Sequence, residues 1–181
     1  MPRFNPMAVS LALLALSACN KGTVEAKNES AQGVAEKVAA AGDIALLPGQ
    51  WESTFKMEKM DIGGDMPPAA KAAMQRAMGA EHSIKTCLTP EQAKARKAAV
   101  MQHETGCIYQ NFSMAGGHIE GAATCDAGGM KRTIKMSGQY APDSYQMHVD
   151  SQMQRPGGMS VSSSMTMNAH RTGECTGKEA G

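Results

Sequence analysis

Apolar and polar residues alternate with a period of two through most of the chain after residue 48. Trp51, Ser53, Phe55 and Met57 interleave with Glu52, Thr54, Lys56 and Glu58. Further on, Tyr145, Met147, Val149, Ser151 and Met153 interleave with Gln146, His148, Asp150 and Gln152, and Met159, Val161, Ser163, Met165 and Met167 repeat the pattern against small polar residues. Ile134 and Met136 point one way, Thr133 and Lys135 the other. Successive strand side chains leave opposite faces of a sheet, so this pattern predicts antiparallel strands buried on one side. Turn-forming residues separate the runs at Gly116-Gly117, Gly128-Gly129, Pro142-Asp143 and Pro156-Gly157-Gly158. The expected fold is mainly β: an antiparallel meander, able to close in part into a barrel, with two short helices.

The two helices are marked by their ends. Pro67-Pro68 opens an alanine-rich run that Gly79 closes, which is the order proline and glycine take at helix starts and stops. Thr89-Pro90-Glu91-Gln92 places a hydroxyl at the cap and a glutamine three positions on, a capping box, and the helix is expected to run to about Met101. Residues 20–47 are small, polar and alanine-rich. They read as a flexible tether, transiently helical around 34–41.

The N-terminus changes the picture most. Arg3 precedes the apolar run 7–16, which is shorter than the roughly 20 residues a membrane-spanning helix needs and of signal-peptide length. The run ends in Leu16-Ser17-Ala18-Cys19. That segment resembles a bacterial lipobox, which implies cleavage after residue 18 and acylation of Cys19. The predicted organisation is therefore a signal peptide (1–18), a lipidated cysteine with its tether (19–47) and a β-rich domain (48–181). The expected location is the bacterial envelope, with the anchor in the outer membrane and the domain facing the periplasm, because Asn20 stands where an aspartate would signal inner-membrane retention.

Setting Cys19 aside leaves Cys87, Cys107, Cys125 and Cys175, an even number in an oxidising compartment, which predicts two disulfides. Cys107 and Cys125 are equidistant from Gly116. A hairpin turning there would oppose them and leave Cys87 with Cys175, the favoured pairing. Linkage of Cys87 to Cys107 and of Cys125 to Cys175 is the alternative. No Cys-x-x-Cys pair occurs, so neither a dithiol redox site nor a zinc ribbon is indicated.

Gly49-x-Trp51, Cys87-Leu88-Thr89-Pro90-Glu91, Gly106-Cys107, Cys125 and Arg171-x-Gly173-x-Cys175, in that order behind the lipobox, resemble the domain of unknown function 3617 family. The family comprises methionine-rich, four-cysteine envelope lipoproteins of proteobacteria. The resemblance spans about residues 48–176, and the segment 63–80 is longer than the family's usual link. It implies an envelope location and no particular activity.

Composition narrows the chemistry. Formal charge is +1 and falls to balance once Arg3 leaves with the signal, so no field gathers a nucleic-acid backbone. Sixteen methionines stand against seven aromatic residues (one Trp, three Tyr and three Phe), so thioethers supply bulk that rings usually provide. Thioether sulfur suits Cu(I) or Ag(I), and a soft-metal site through methionine and histidine is the alternative function. His148 and His170 fall on the face opposite Met165 and Met167, which speaks against a shared metal; no metal site or cofactor is assigned. The five histidines (82, 103, 118, 148, 170) show no paired spacing, and the serine-rich run 160–164 lacks the Gly-x-Ser-x-Gly elbow. No catalytic residue is expected. The function expected is a non-enzymatic envelope scaffold or hydrophobic-ligand module, with the membrane and an apolar ligand or envelope protein as partners. Its candidate ligand face comprises Trp51, Phe55, Met57, Met136, Met147, Met153, Met165 and Met167.

Overall fold

A computed structural model describes residues 22–41, 46–63, 67–78, 80–93, 106–154, 157–158 and 160–179. The expected signal segment, Cys19, the expected helix stop at Gly79, the expected helical stretch beyond residue 93, Met159 and the Arg155-Pro156 part of the last turn lie outside them. One antiparallel sheet organises the chain. Its strands are β1 (Val24–Ala26), β2 (Glu29–Ser30), β3 (Gly49–Ile62), β4 (His82–Leu88), β5 (Cys107–Ala115), β6 (His118–Ala127), β7 (Met130–Ala141), β8 (Ser144–Gln154) and β9 (Ser160–Gly173). Their spatial order is β1-β5-β6-β7-β8-β9-β3-β4, with β2 also on β5.

Strands β5 to β9 form an uninterrupted meander. Two of its turns are the Gly-Gly pairs, with φ of 57° and 80° at Gly116 and Gly117. Positive φ at both central residues matches hairpin twist, and only glycine takes it without a steric penalty. Strand β3 then returns beside β9, pairing from Gln50 with Gly173 to Ile62 with Val161. The sheet is open, with β1 and β4 at its two ends, so the partial barrel does not form. Closure would require β4 to reach β1, and the two sit at opposite ends of the strand order.

The tether expectation is corrected for residues 24–41. Val24 pairs with Met114 and Ala26 with Phe112. Helix α1 (Ala31–Ala41) then buries Ala31, Val34, Ala35 and Val38. Their i, i+3, i+4, i+7 spacing is one face of a helix. Ser30 caps it, its hydroxyl accepting the Gly33 N–H at 3.0 Å, and Lys37 reaches back to Glu29 at 2.9 Å. The Lys37 ammonium holds the Glu29 carboxyl below its ordinary value. The folded body thus begins near Val24 rather than Pro48.

Helix α2 (Pro68–Met78) and a further helical turn at Pro90 match the two expected helices where they are described. The capping box is formed: Thr89 N–H donates to the Gln92 side chain at 3.0 Å, and Gln92 N–H to the Thr89 hydroxyl at 3.2 Å.

Two buried clusters divide one face of the sheet. The larger joins α1 and β1 to Tyr109, Phe112, Met114, Ile119, Ala123 and Ile134 of β5–β7. The smaller joins Trp51, Leu88, Ala93 and Ala169. Disulfides Cys107–Cys125 and Cys87–Cys175 staple one to each cluster's edge.

Candidate functional site

Strand register decides which side chains meet. Gly138, Met147, Met167 and Phe55 are successive partners across β7, β8, β9 and β3. The next row along is Met136, Val149, Met165 and Met57, and a later one is Arg132, Met153, Val161 and Ile62. Trp51 stands an even number of residues before Phe55, on the same side. All eight residues of the candidate ligand face therefore share one face of the sheet.

That face is covered unevenly. Over β5, β6 and β7 the residues of α1 close it, and Met136, Met147 and Val149 lean against that cluster. At the other end Trp51 is buried at 4 % exposure, its ring stacked on Tyr145 at 6.1 Å. Its indole N–H donates to the Leu47 carbonyl at 3.0 Å. Between these clusters Phe55, Met57, Met153, Val161, Met165 and Met167 stay half-buried. Helix α2 packs against β3, and its described side chains are mostly exposed. It is α1, not the 67–78 helix, that supplies the apolar cover.

Two methionines fill space that glycines leave. Met136 lies over its partner Gly121 and Met147 over its partner Gly138, their sulfurs 3.5 and 2.6 Å from where a Cβ would stand. The Tyr145 hydroxyl reaches the Met167 sulfur at 3.9 Å, tying the open rows to the Trp51 cluster.

The opposite face is polar, and one side-chain group there was not expected. His148 sits at a crossing of β8, β9 and β3. Its Nδ1 is 3.3 Å from the Thr166 hydroxyl and 3.8 Å from Glu58; its Nε2 is 3.3 Å from the Ser164 hydroxyl and 3.4 Å from Asp150. Thr166 donates to Glu58 at 2.8 Å. Glu58 lies on this polar face at the bulge between Met57 and Lys59, which carries Lys59 and Asp61 onto the same face. The sequence signal was the alternation of His148 and Asp150 opposite Ser164 and Thr166. A Ser–His contact suggests acyl transfer, which also requires donors for an oxyanion. Strand β9 is paired on both sides, so its own amides are engaged in the ladder.

Beside this group runs an open groove of about 540 Å³, lined on the polar face by Lys59, Lys135, Asp61, Asp150, Gln152 and Ser164, among others. One row across it reads Lys135, Asp150, Ser164, Lys59, so charges of both signs stand next to each other. Such a surface is well hydrated and gives no field of one sign.

Among the described residues, His148 and the methionines of its own and the neighbouring strand do not meet. His148 projects to the polar face, while Met147, Met165 and Met167 project to the other. Among the described residues no three His, Cys, Asp or Glu side chains gather as a metal site.

A family model described as a protein of unknown function matches residues 46–175, the stretch that holds Trp51 and all four bridged cysteines. The chain belongs to the DUF3617 family. No curated protein and no solved structure matches it. The DUF3617 match begins at the Leu46 that packs beside Trp51 and ends at Cys175, so β1, β2 and α1 lie ahead of it. In this DUF3617 protein the cover over β5–β7 therefore comes from outside the matched region.

Proposed function

We propose that this protein is a non-enzymatic envelope module, exported and acylated at Cys19 and held at the outer membrane facing the periplasm, that binds an apolar ligand of acyl-chain type. One observation carries the reading: the half-covered methionine face between the α1 cluster and the Trp51 cluster. At about 3.4 Å per residue and 4.8 Å per strand, it extends roughly 20 Å along β3 and roughly 14 Å from β7 to β3. That matches one extended acyl chain of moderate length. Thioethers suit such a ligand because they are unbranched, polarizable and able to repack around varied shapes. Burying about 300 Å² of apolar ligand surface there contributes roughly 7 kcal/mol before the entropic cost of association.

Trp51 is the single tryptophan and contacts the face through Tyr145, so it reports binding. A chain beginning at Asn20 is titrated with a brominated fatty acid. Saturable quenching of Trp51, abolished by Met165→Glu with Met167→Glu, is the expected result. Absence of quenching, together with a protein that carries no lipid in native mass spectrometry, would leave the envelope-scaffold role instead. Stoichiometric Ag(I) uptake, lost in Met165→Leu with Met167→Leu, would favour the soft-metal alternative, through methionines alone.

A further inference from the structure

The folding of residues 24–41 against β5 shortens the distance between the anchor and the body. Val24 follows Cys19 by five positions and is already 3 % exposed inside β1. An extended chain spans at most about 3.5 Å per residue, so the Cys19 backbone stands no more than about 17 Å from Val24. The register fixes which end of the sheet that is. Val24 pairs with Met114, next to the β5–β6 turn at residues 115–118.

Several other segments meet at this end and are laced together. Tyr140 N–H donates to the Gly117 carbonyl at 2.8 Å, Leu47 N–H to the Pro142 carbonyl at 2.7 Å, and Arg171 N–H to the Asp143 carbonyl at 2.8 Å. The end is therefore a rigid surface of the turns 115–118 and 141–144, the entry to β3 and the exit of β9. It presents the exposed Leu47, the paired Arg171 and Glu174, Asp143 and His118. The other end, with the turn 127–130, lies about 40 Å away along the twelve residues of β7.

We propose that the short leash holds the turn end, residues 115–118 and 141–144, against a zwitterionic phospholipid surface, with the turn 127–130 directed into the periplasm. This rests on the acylation of Cys19 put forward above. One consequence deepens the ligand assignment. The sealed Trp51 cluster belongs to the membrane end, and the open rows ending at Met153, Val161 and Ile62 belong to the far end. Ligand then enters the methionine face from the aqueous space and not from the bilayer.

The test uses the full, processed protein reconstituted into phosphatidylethanolamine vesicles that contain a headgroup-diazirine phosphatidylethanolamine. After illumination, crosslinks are mapped by peptide mass spectrometry. They are expected on 115–118 and 141–144 and absent from 127–130. A second protein carries about twenty Gly/Ser residues after Thr23, adding a mean reach of about 25 Å; its crosslinks to the turns are expected to be lost while its unfolding midpoint stays unchanged. Crosslinks spread over both ends, or kept at the original yield with the inserted segment, would overturn the orientation while the diacylglyceryl mass on Cys19 remains. Absence of that mass would overturn the anchor itself, and the orientation with it.

Discussion

Met147 lies with its sulfur over Gly138, its direct partner across β7 and β8, in the space where any larger residue would put a Cβ. Met136 does the same over Gly121. These pairs explain part of the methionine content: a flexible thioether fills what a glycine leaves, and the apolar face is carried across these strands with few rings. The two glycines should tolerate alanine differently. At Gly138 the new methyl meets the Gln146 carbonyl oxygen and the Met147 Cα at 3.1 Å, both backbone atoms that cannot swing away. At Gly121 it meets only the Met136 and Phe112 side chains, at 3.3 Å. Gly138→Ala should cost about 2 kcal/mol or more, and Gly121→Ala about 1 kcal/mol or less. Urea unfolding of both checks this; equal costs would show that β7 and β8 shift apart freely.

The two disulfides should differ in what they contribute. Cys107–Cys125 closes a separation of 18 residues and Cys87–Cys175 one of 88. On a chain-entropy account the first stabilises by about 3 kcal/mol and the second by about 4.6 kcal/mol. Single-bridge proteins isolate each contribution, since the alanine pair at the other bridge is common to both redox states. The oxidised-minus-reduced stability of Cys107→Ala with Cys125→Ala should exceed that of Cys87→Ala with Cys175→Ala. The reverse order would mean that local strand pairing, not loop closure, governs the effect. Cys175 is also exposed while Cys107 and Cys125 are buried, so a limiting dithiol should open Cys87–Cys175 first.

Val34 tests whether α1 belongs to the body. It is 0 % exposed within the cluster containing Phe112 and Tyr109. Val34→Ala should lower stability by roughly 2 kcal/mol, through lost burial and the cavity left behind. Glu36→Ala, on the exposed side of the same helix, should change little. If Val34→Ala were silent in urea unfolding, α1 would be an ornament on the sheet rather than its cover.

The contrast between the strands and α1 shows what was legible in the sequence. Period-two alternation names the faces of β7, β8, β9 and of β3 as far as Glu58, because a residue's side follows from parity until the bulge after Met57 shifts it. The opposition of Cys107 and Cys125 followed from their equal distance to a Gly-Gly turn. Helix α1 lies in a segment whose sequence reads as a tether, at most transiently helical around 34–41, because its stripe of Ala31, Val34, Ala35 and Val38 is too small to stand out from an alanine-rich segment. Its cap at Ser30 was the available signal. Strand β4 carries only Ile84 and Leu88 as bulky apolar residues, and the two-residue β2 carries none. Whether the sheet closes depends on which strands meet at its edges, a long-range property no local pattern records. For the site, parity gave the membership of the methionine face, but its uneven cover depended on α1. The His148 group needed the β8–β9 and β3–β9 registers, which bring Glu58 beside Thr166 and His148.

The C-terminal tail offers a titratable lock. Beyond Cys175, the Glu179 carboxylate accepts the Thr176 N–H at 2.7 Å, the Thr176 hydroxyl at 2.8 Å, the Gly177 N–H at 2.9 Å and the Gln50 side-chain amide at 2.6 Å. The Thr176 backbone hydrogen bond leads in holding its pKa down, at about 2. The folded value lies below the unfolded one, near 4.3, so the tail's attachment to β3 is fully present above the unfolded value. It is lost as pH falls through about 2. Solvent exposure of this carboxylate screens the effect, so its direction is the prediction. Glu179→Gln should be less stable than the parent at pH 5 in urea unfolding, and the gap should narrow steadily toward pH 2. A gap that stays constant or widens on acidification would show that the amide replaces the carboxylate at no cost, and that the tail is held by Cys87–Cys175 alone.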